Sequence, residues 1–85
     1  MKRYYLNQRC GGDFLQDLEG ALFESLADAR LEAIASIREA ISNTVKSGFI
    51  ELGWSYEICN LQGDLLTTVF FGETIVIRGA ARPIE

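Results

Sequence analysis

The sequence contains no histidine among its 85 residues. Histidine is the commonest general base and a frequent metal ligand, so its absence excludes Ser-His-Asp and Cys-His triads within one chain. The two cysteines, Cys10 and Cys59, stand far apart and have no histidine to complete a zinc site. The sequence therefore predicts a protein that is not an enzyme and needs neither metal nor cofactor.

Long apolar runs are missing as well. No stretch of about 18 apolar residues occurs, so we expect no membrane-spanning segment. The start MKRYYLNQRC carries basic residues but not the apolar region of a signal peptide. Glycine-rich phosphate-binding patterns such as GxGxxG are also absent. These features predict a cytoplasmic protein with reduced thiols.

Positive charge is scarce: the sequence has eight lysines and arginines against twelve aspartates and glutamates, which gives a net charge of −4. Such a balance argues against broad nucleic-acid binding and against docking on an anionic membrane. A chain of this length forms one small domain with a thin core, and small domains are often stabilised by oligomerisation.

Several short segments favour β-strands. Residues 3–9, RYYLNQR, predict a strand, the glycines of CGGD a hairpin turn, and residues 14–20 a shorter return strand. Residues 54–60 and 65–71, separated by LQGD, predict a second hairpin. Residues 73–79 fit either a fifth strand or a helical turn. We expect a single domain over residues 1–79 and a tail over 80–85.

One long amphipathic helix is predicted between the two hairpins, over residues 25–48. Ser25 is the expected N-cap, accepting from the Asp28 amide, and Gly48 is a suitable residue just past the end. Helical spacing predicts a buried apolar stripe made of Leu26, Ile34, Ile37, Ile41 and Val45, widened by Ala27 and Leu31 on one edge and by Ala33 and Ala40 on the other.

A single amphipathic helix needs a surface to cover its apolar face, and only the two hairpins can supply it. The predicted fold is therefore α+β, in the order ββαββ. An antiparallel sheet of four strands, or five if residues 73–79 add one, carries the helix on one face.

Arg30 falls inside the predicted apolar stripe. One interpretation is structural: the aliphatic stem packs while the guanidinium reaches Asp17 or Glu19 on the preceding strand. The other is an anion-binding arginine in a cleft, with the nearby carboxylates as part of a small-ligand site. We favour the structural ion pair.

The order of the motifs resembles a family of short alphaproteobacterial proteins that is catalogued as a domain of unknown function. Its members read R-Y-Y-F, D-x-x-G, D-A-R-x-E-A and a closing strand that ends in V-P-F. The matching positions are Arg3, Tyr4, Tyr5, Asp17, Gly20, Asp28, Ala29, Arg30, Glu32, Ala33, Gly63, Leu66, Val69 and Phe71. Asn60 and Phe70 depart from the pattern, since aspartate and proline are usual there.

The resemblance spans about residues 3 to 72 and implies a compact intracellular bacterial domain, without an activity to carry over. It also implies that Arg30 belongs to a recurring local pattern. The D-x-x-G and D-A-R elements are expected to fix the joint between the first hairpin and the helix by ion pairing.

Aromatic residues on the strands suggest a surface. Since one helix covers one side of a sheet, alternation leaves Tyr5 and one of Phe70 or Phe71 on the other side.

The first hypothesis is an interaction module, a homodimer or a partner of another protein. The second is an antitoxin-like or RNA-binding regulator with a basic stripe, formed by Arg3, Arg9, Arg78 and Arg82. The third is a small enzyme or ligand carrier that uses Arg30 and the nearby carboxylates.

Overall fold

A computed structural model describes residues 1–51, 53–76 and 78–79. The elements are β1 (Lys2–Cys10), β2 (Asp13–Leu15), β3 (Ala21–Phe23), α1 (Leu26–Lys46), β4 (Trp54–Cys59), β5 (Leu65–Phe70) and a 3-10 helix (Phe71–Glu73). The predicted α+β fold is confirmed: five antiparallel strands form a sheet, and the helix packs on it. The predicted tail, residues 80–85, lies outside the described residues.

Strand β1 is the longest strand and organises the sheet. It pairs with β4 from Tyr5 opposite Cys59 to Cys10 opposite Trp54, and β4 pairs with β5. The second hairpin is therefore confirmed. The start of β1 pairs with β3 and its end pairs with β2, so the order is β2-β1-β4-β5 with β3 as a further partner of β1.

The return strand predicted over residues 14–20 is confirmed only at its start, since β2 pairs with β1 but ends at Leu15. Two strands of three residues, β2 and β3, take its place, and the loop 16–20 separates them. Residues 21–23, directly after Gly20, form β3. The interruption arises because the side chain of Asp17 accepts the hydrogen bond of the Leu6 amide, which a continuous strand would have paired through its backbone.

The helix begins and ends where the sequence predicts. Ser25 has extended backbone angles, and its hydroxyl accepts a hydrogen bond of 3.3 Å from the Asp28 amide. At the other end the amides of Gly48 and Phe49 donate to the carbonyls of Val45 and Thr44. This pair of bonds, with Gly48 at a φ of 94°, is a Schellman motif.

The buried face of the helix is displaced from the predicted stripe. Its buried positions are Ala29, Ala33, Ile37 and Ile41, whereas Leu31 and Val45 are 64% and 51% exposed. On the sheet side the core is filled by larger residues, Tyr4, Ile58 and Val69, and the ring of Tyr4 packs near that of Phe23. Bulky residues on the sheet favour small residues on the helix that packs against it. The edge of the apolar stripe that contains Ala33 therefore faces the sheet.

Neither alternative predicted for residues 73–79 extends over their described part: no strand forms there, and the 3-10 helix after β5 includes only Glu73 of them. Phe71–Glu73 is a 3-10 helix, and within residues 74–76 and 78–79 the structure contains no strand. Thr74 is buried, its amide and hydroxyl both donate to the Phe71 carbonyl, and its own carbonyl accepts from Arg38 of the helix. The fifth strand of the sheet is β3.

Candidate functional site

The loop between β2 and β3 is built around the Asp17 carboxylate. One oxygen accepts from the Leu6 amide at 3.1 Å, and the other accepts from the Glu19 and Gly20 amides at 3.3 Å and 3.0 Å. The Asp17 amide donates to the Asn7 side chain at 2.9 Å. Asp17 thus satisfies the backbone of β1 where neither short strand can do so.

Gly20 ends this loop in a conformation and a space that suit only glycine. Its φ is +69°, in the left-handed region. A Cβ at this position would lie 2.9 Å from the Tyr4 carbonyl oxygen and 2.9 Å from the Tyr5 ring. The spacing D-x-x-G therefore combines an acceptor for the loop amides with a close approach to β1.

Arg30 contacts β5, at the edge of the sheet opposite to the one formed by β2 and β3. The expected ion pair with Asp17 or Glu19 is replaced by one with Glu73, in which Nη2 lies 2.9 Å from Oε1, and Nη1 donates to the Thr67 hydroxyl. The other Glu73 oxygen accepts from the Phe70 amide. The partners differ because Asp17 is engaged with backbone amides, while β5 and the 3-10 helix pass beside Arg30.

Substituting Arg30 should affect stability more than binding. We expect Arg30→Ala to lower the melting temperature modestly, because the ion pair is partly exposed and is screened by solvent. Arg30→Met keeps most of the aliphatic stem and is the matched control, with a smaller fall. Thermal unfolding followed by circular dichroism measures both, and an unchanged Arg30→Ala melting temperature would contradict the structural role.

Acid should weaken the same contact. The Phe70 amide and the Arg30 guanidinium lower the pKa of the Glu73 carboxyl below its ordinary value of 4.5. A lowered pKa means that the stabilisation is complete above the ordinary value and is lost as the pH falls through the lowered one. In a pH series of unfolding curves, Glu73→Gln should therefore lose less stability than the natural chain between about pH 5 and 2.

The side of the sheet that the helix does not cover forms a second surface, which we call the open face. Side chains alternate between the two faces along a strand, so every second residue of each strand lies on the open face, and the strand register aligns these residues across the sheet. Its residues are Phe14 of β2, Tyr5, Asn7 and Arg9 of β1, Ser55, Glu57 and Cys59 of β4, and Thr68 and Phe70 of β5. Tyr4 is buried beneath the helix, so the prediction that Tyr5 lies on the other side is confirmed.

One row of the open face carries two exposed aromatic rings. Across the strands Phe14 pairs with Arg9, Arg9 with Ser55, and Ser55 with Phe70. Phe14 and Phe70 are 47% and 57% exposed, and Ser55 between them is 8% exposed. The Arg9 guanidinium stacks over the Phe14 ring at 4.5 Å and forms an ion pair of 2.6 Å with Glu57. The row is therefore apolar at both flanks and electrically neutral at its centre.

Tyr5 lines a groove of about 250 Å³ at the end of the open face, together with Asn7, Asp17 and Cys59. The Glu19 carbonyl beside the loop accepts a hydrogen bond from Arg3. Of the four predicted site residues, the structure thus brings Tyr5, Asp17 and Glu19 together around the loop and leaves Arg30 apart. The groove is wide open and polar, and Asp17 already uses both of its oxygens on backbone amides.

Neither cysteine is activated as a nucleophile. Burial, followed by the charges of Glu51 and Asp13, raises the pKa of the Cys10 thiol. Burial and the charge of Glu57 raise the pKa of the Cys59 thiol, against a weaker opposing hydrogen bond from Asn7. A raised pKa lowers the thiolate fraction at neutral pH, so both thiols are poor nucleophiles.

Sequence reasoning missed three contacts: Arg9 with Glu57, Asn7 with Asp17, and Arg30 with Glu73. The first depends on the register between β1 and β4, and the second on the break between β2 and β3. The third depends on the turn of the chain after β5. No local signal in the sequence specifies any of them, although strand alternation does place Arg9 and Glu57 on outward positions.

The described residues define a small α+β domain in which one helix covers one face of an antiparallel sheet. Among them no group of three or more acidic or cysteine side chains is placed to hold a metal ion. No helix in that part of the chain combines the length and apolar character needed to cross a membrane.

A family model described as "Domain of unknown function (DUF6894)" matches residues 3–72, and the chain belongs to this family. The predicted membership of a family catalogued as a domain of unknown function, spanning about residues 3 to 72, is thereby confirmed. No curated protein and no solved structure matches the chain.

Proposed function

We propose that this domain is a non-catalytic, cytoplasmic bacterial interaction module that acts by associating with itself. The observation that carries the proposal is the open face, where Phe14 and Phe70 expose about half of their surface to solvent. Exposed aromatic residues grouped on one side of a small domain are typical of protein contact surfaces.

The polar groups of the protein support a structural and not a chemical role. Arg30 is engaged by Glu73 and Thr67, and Asp17 by three backbone amides. The thiols of Cys10 and Cys59 have raised pKa values. Arg30 and Asp17 already serve the fold and the thiols are poor nucleophiles, which favours an interaction module over an enzyme or a small-ligand binder.

Charge favours a protein partner over a nucleic acid. Arg9 of the expected basic stripe is neutralised by Glu57 at 2.6 Å, and Arg3 donates to the Glu19 carbonyl. Arg82 lies outside the described residues. A surface that binds phosphates needs cations free to displace counterions, and the chain as a whole carries a charge of −4.

Light scattering over a range of protein concentrations tests the proposal. We expect the weight-average mass to rise from the 9.5 kDa of the monomer towards twice that value as concentration increases. A mass that stays at the monomer value up to the solubility limit would rule out self-association. Addition of random single-stranded oligonucleotides serves as the control, and we expect no salt-sensitive complex.

A further inference from the structure

The start of β1 has one edge without a neighbouring strand. Strand β1 begins at Lys2, but its pairing with β4 begins only at Tyr5, opposite Cys59. The Leu6 amide points to the loop between β2 and β3, so by alternation the amide and carbonyl of Arg3 point to the other edge, beyond the end of β4. Among the described residues, none forms a hydrogen bond with either of these two groups of Arg3.

A groove of about 470 Å³, which we call the β1 groove, lies beside this edge. Residues 2–4 line one part of it, and residues 60–62 with Leu66 line the rest. Hydrogen bonds fix the turn between β4 and β5: the Asn60 amide donates to the Asp64 carbonyl, and the Asn60 side chain accepts the Asp64 amide at 2.8 Å. The groove is therefore preformed, and its volume lies in the range of about 300–1,000 Å³ that is usual for ligand sites.

The β1 groove is locally positive. Its lining contains the exposed cations Lys2 and Arg3 and no aspartate or glutamate. Within the part of the chain that the structure describes, Lys2 forms no ion pair, and the Arg3 guanidinium donates to the uncharged carbonyl of Glu19. Both side chains thus keep their charge in a chain whose net charge is −4. A carboxylate is the complementary group for such a surface.

The main chain of Arg3 favours a peptide as the ligand. An amide and a carbonyl on the same strand residue match the carbonyl and amide of one residue of another extended chain, as in the addition of a strand to a sheet. A phosphodiester linkage has no hydrogen-bond donor for the Arg3 carbonyl. The exposed side chains of Leu61 and Leu66 add apolar surface beside these polar groups.

We propose that the β1 groove binds an extended peptide segment of a partner protein that carries a carboxylate. The peptide main chain pairs with the amide and carbonyl of Arg3, and the carboxylate lies near Lys2. This contact is separate from the open face and does not depend on self-association. Because only one residue of β1 offers free main-chain groups at this edge, the dissociation constant for a short peptide is expected to be about millimolar.

NMR titration of the ¹⁵N-labelled full chain with short peptides tests the proposal. The probe is acetyl-Thr-Val-Thr-Val-Glu-amide, and its control ends in lysine in place of glutamate. We expect saturable shifts of the amides of Leu61 and Arg3, with the Arg3 proton moving downfield as its new hydrogen bond forms. The lysine peptide should bind about twofold to fivefold more weakly, the range for an exposed ion pair.

Acetyl-Thr-Val-Thr-Val-Ala with a free carboxyl end distinguishes the two sources of the carboxylate. Tighter binding of this peptide than of the glutamate peptide identifies a chain terminus as the ligand, and the reverse order identifies an acidic side chain. Binding of either one in preference to the lysine peptide supports the proposal. Sodium acetate and sodium phosphate are titrated alongside, and equal shifts of the Arg3 amide with these salts would show that the groove binds simple anions and not a peptide.

Charge reversal at the groove provides the test by mutation. Lys2→Glu should abolish the preference for the glutamate peptide over the lysine peptide. Lys46→Glu is the matched control, because it changes the net charge equally at the end of the helix, outside the groove, and should leave the preference intact. Circular dichroism shows that both variants are folded. The proposal is wrong if no peptide gives saturable shifts up to about 10 mM, or if Lys2→Glu retains the preference of the natural chain.

Discussion

Gly20→Ala is expected to destabilise the domain by about 2–5 kcal/mol. The left-handed backbone costs an alanine about 1–2 kcal/mol, and the added methyl group must displace its neighbours at about 1–3 kcal/mol. The Cβ would lie 2.9 Å from the Tyr4 carbonyl oxygen, which belongs to β1 and cannot move without disturbing the sheet. Urea unfolding followed by circular dichroism measures the loss directly.

Gly11→Ala is the control for that experiment. Its φ of +61° is close to the +69° of Gly20, but nothing lies within 4 Å of its added Cβ. Gly11→Ala carries only the free-energy cost of the left-handed backbone. The difference in unfolding free energy between the two variants therefore measures the cost of the close approach to β1. Equal losses for Gly11→Ala and Gly20→Ala would show that the approach of Gly20 to β1 does not matter.

Asp17→Ala is expected to be the second most damaging change. It removes the acceptor from three backbone amides, of which those of Leu6 and Gly20 are partly buried. An amide left without its partner costs about 1–3 kcal/mol, so we expect a loss of about 2–4 kcal/mol after partial replacement by water. The amide proton of Leu6 should also exchange faster with solvent, which NMR can follow residue by residue.

Asp13→Ala is the matched substitution, because Asp13 is an exposed aspartate at the start of β2, the strand that precedes the loop. Its carboxylate accepts none of the hydrogen bonds found in the described residues. We expect a change within about 0.5 kcal/mol. Comparable losses for Asp13→Ala and Asp17→Ala would mean that the loss of charge, and not the hydrogen bonds, governs stability.

Both expectations concern the D-x-x-G spacing that this chain shares with its family. The resemblance implied ion pairing at the joint between the hairpin and the helix. The structure shows hydrogen bonds from backbone amides to Asp17, together with a glycine fitted against β1. This joint also holds Tyr5 and Asn7 on the open face, so it links the stability of the loop to the surface proposed for dimerisation.

Local chemistry made a large part of the fold predictable. The helix ends were readable because Ser25 and Gly48 act on amides and carbonyls within a few residues of themselves. The hairpin of β4 and β5 was readable from alternation and from the LQGD turn between two strand-forming segments. The α+β class followed because a lone amphipathic helix needs a sheet to cover it.

The sequence alone determined the elements with local signals, the alternation that places Tyr5 away from the helix, and the absence of histidine chemistry. Only the tertiary structure decided the break between β2 and β3, the rotation of the helix onto Ala29 and Ala33, and the partners of Arg9, Asp17 and Arg30. Each of these includes at least one contact between residues more than ten positions apart, such as Asp17 with Leu6, and such pairs are set by packing and strand register. Helical periodicity shows that a helix has an apolar side, but the bulk of the opposing sheet fixes which edge of that side is buried.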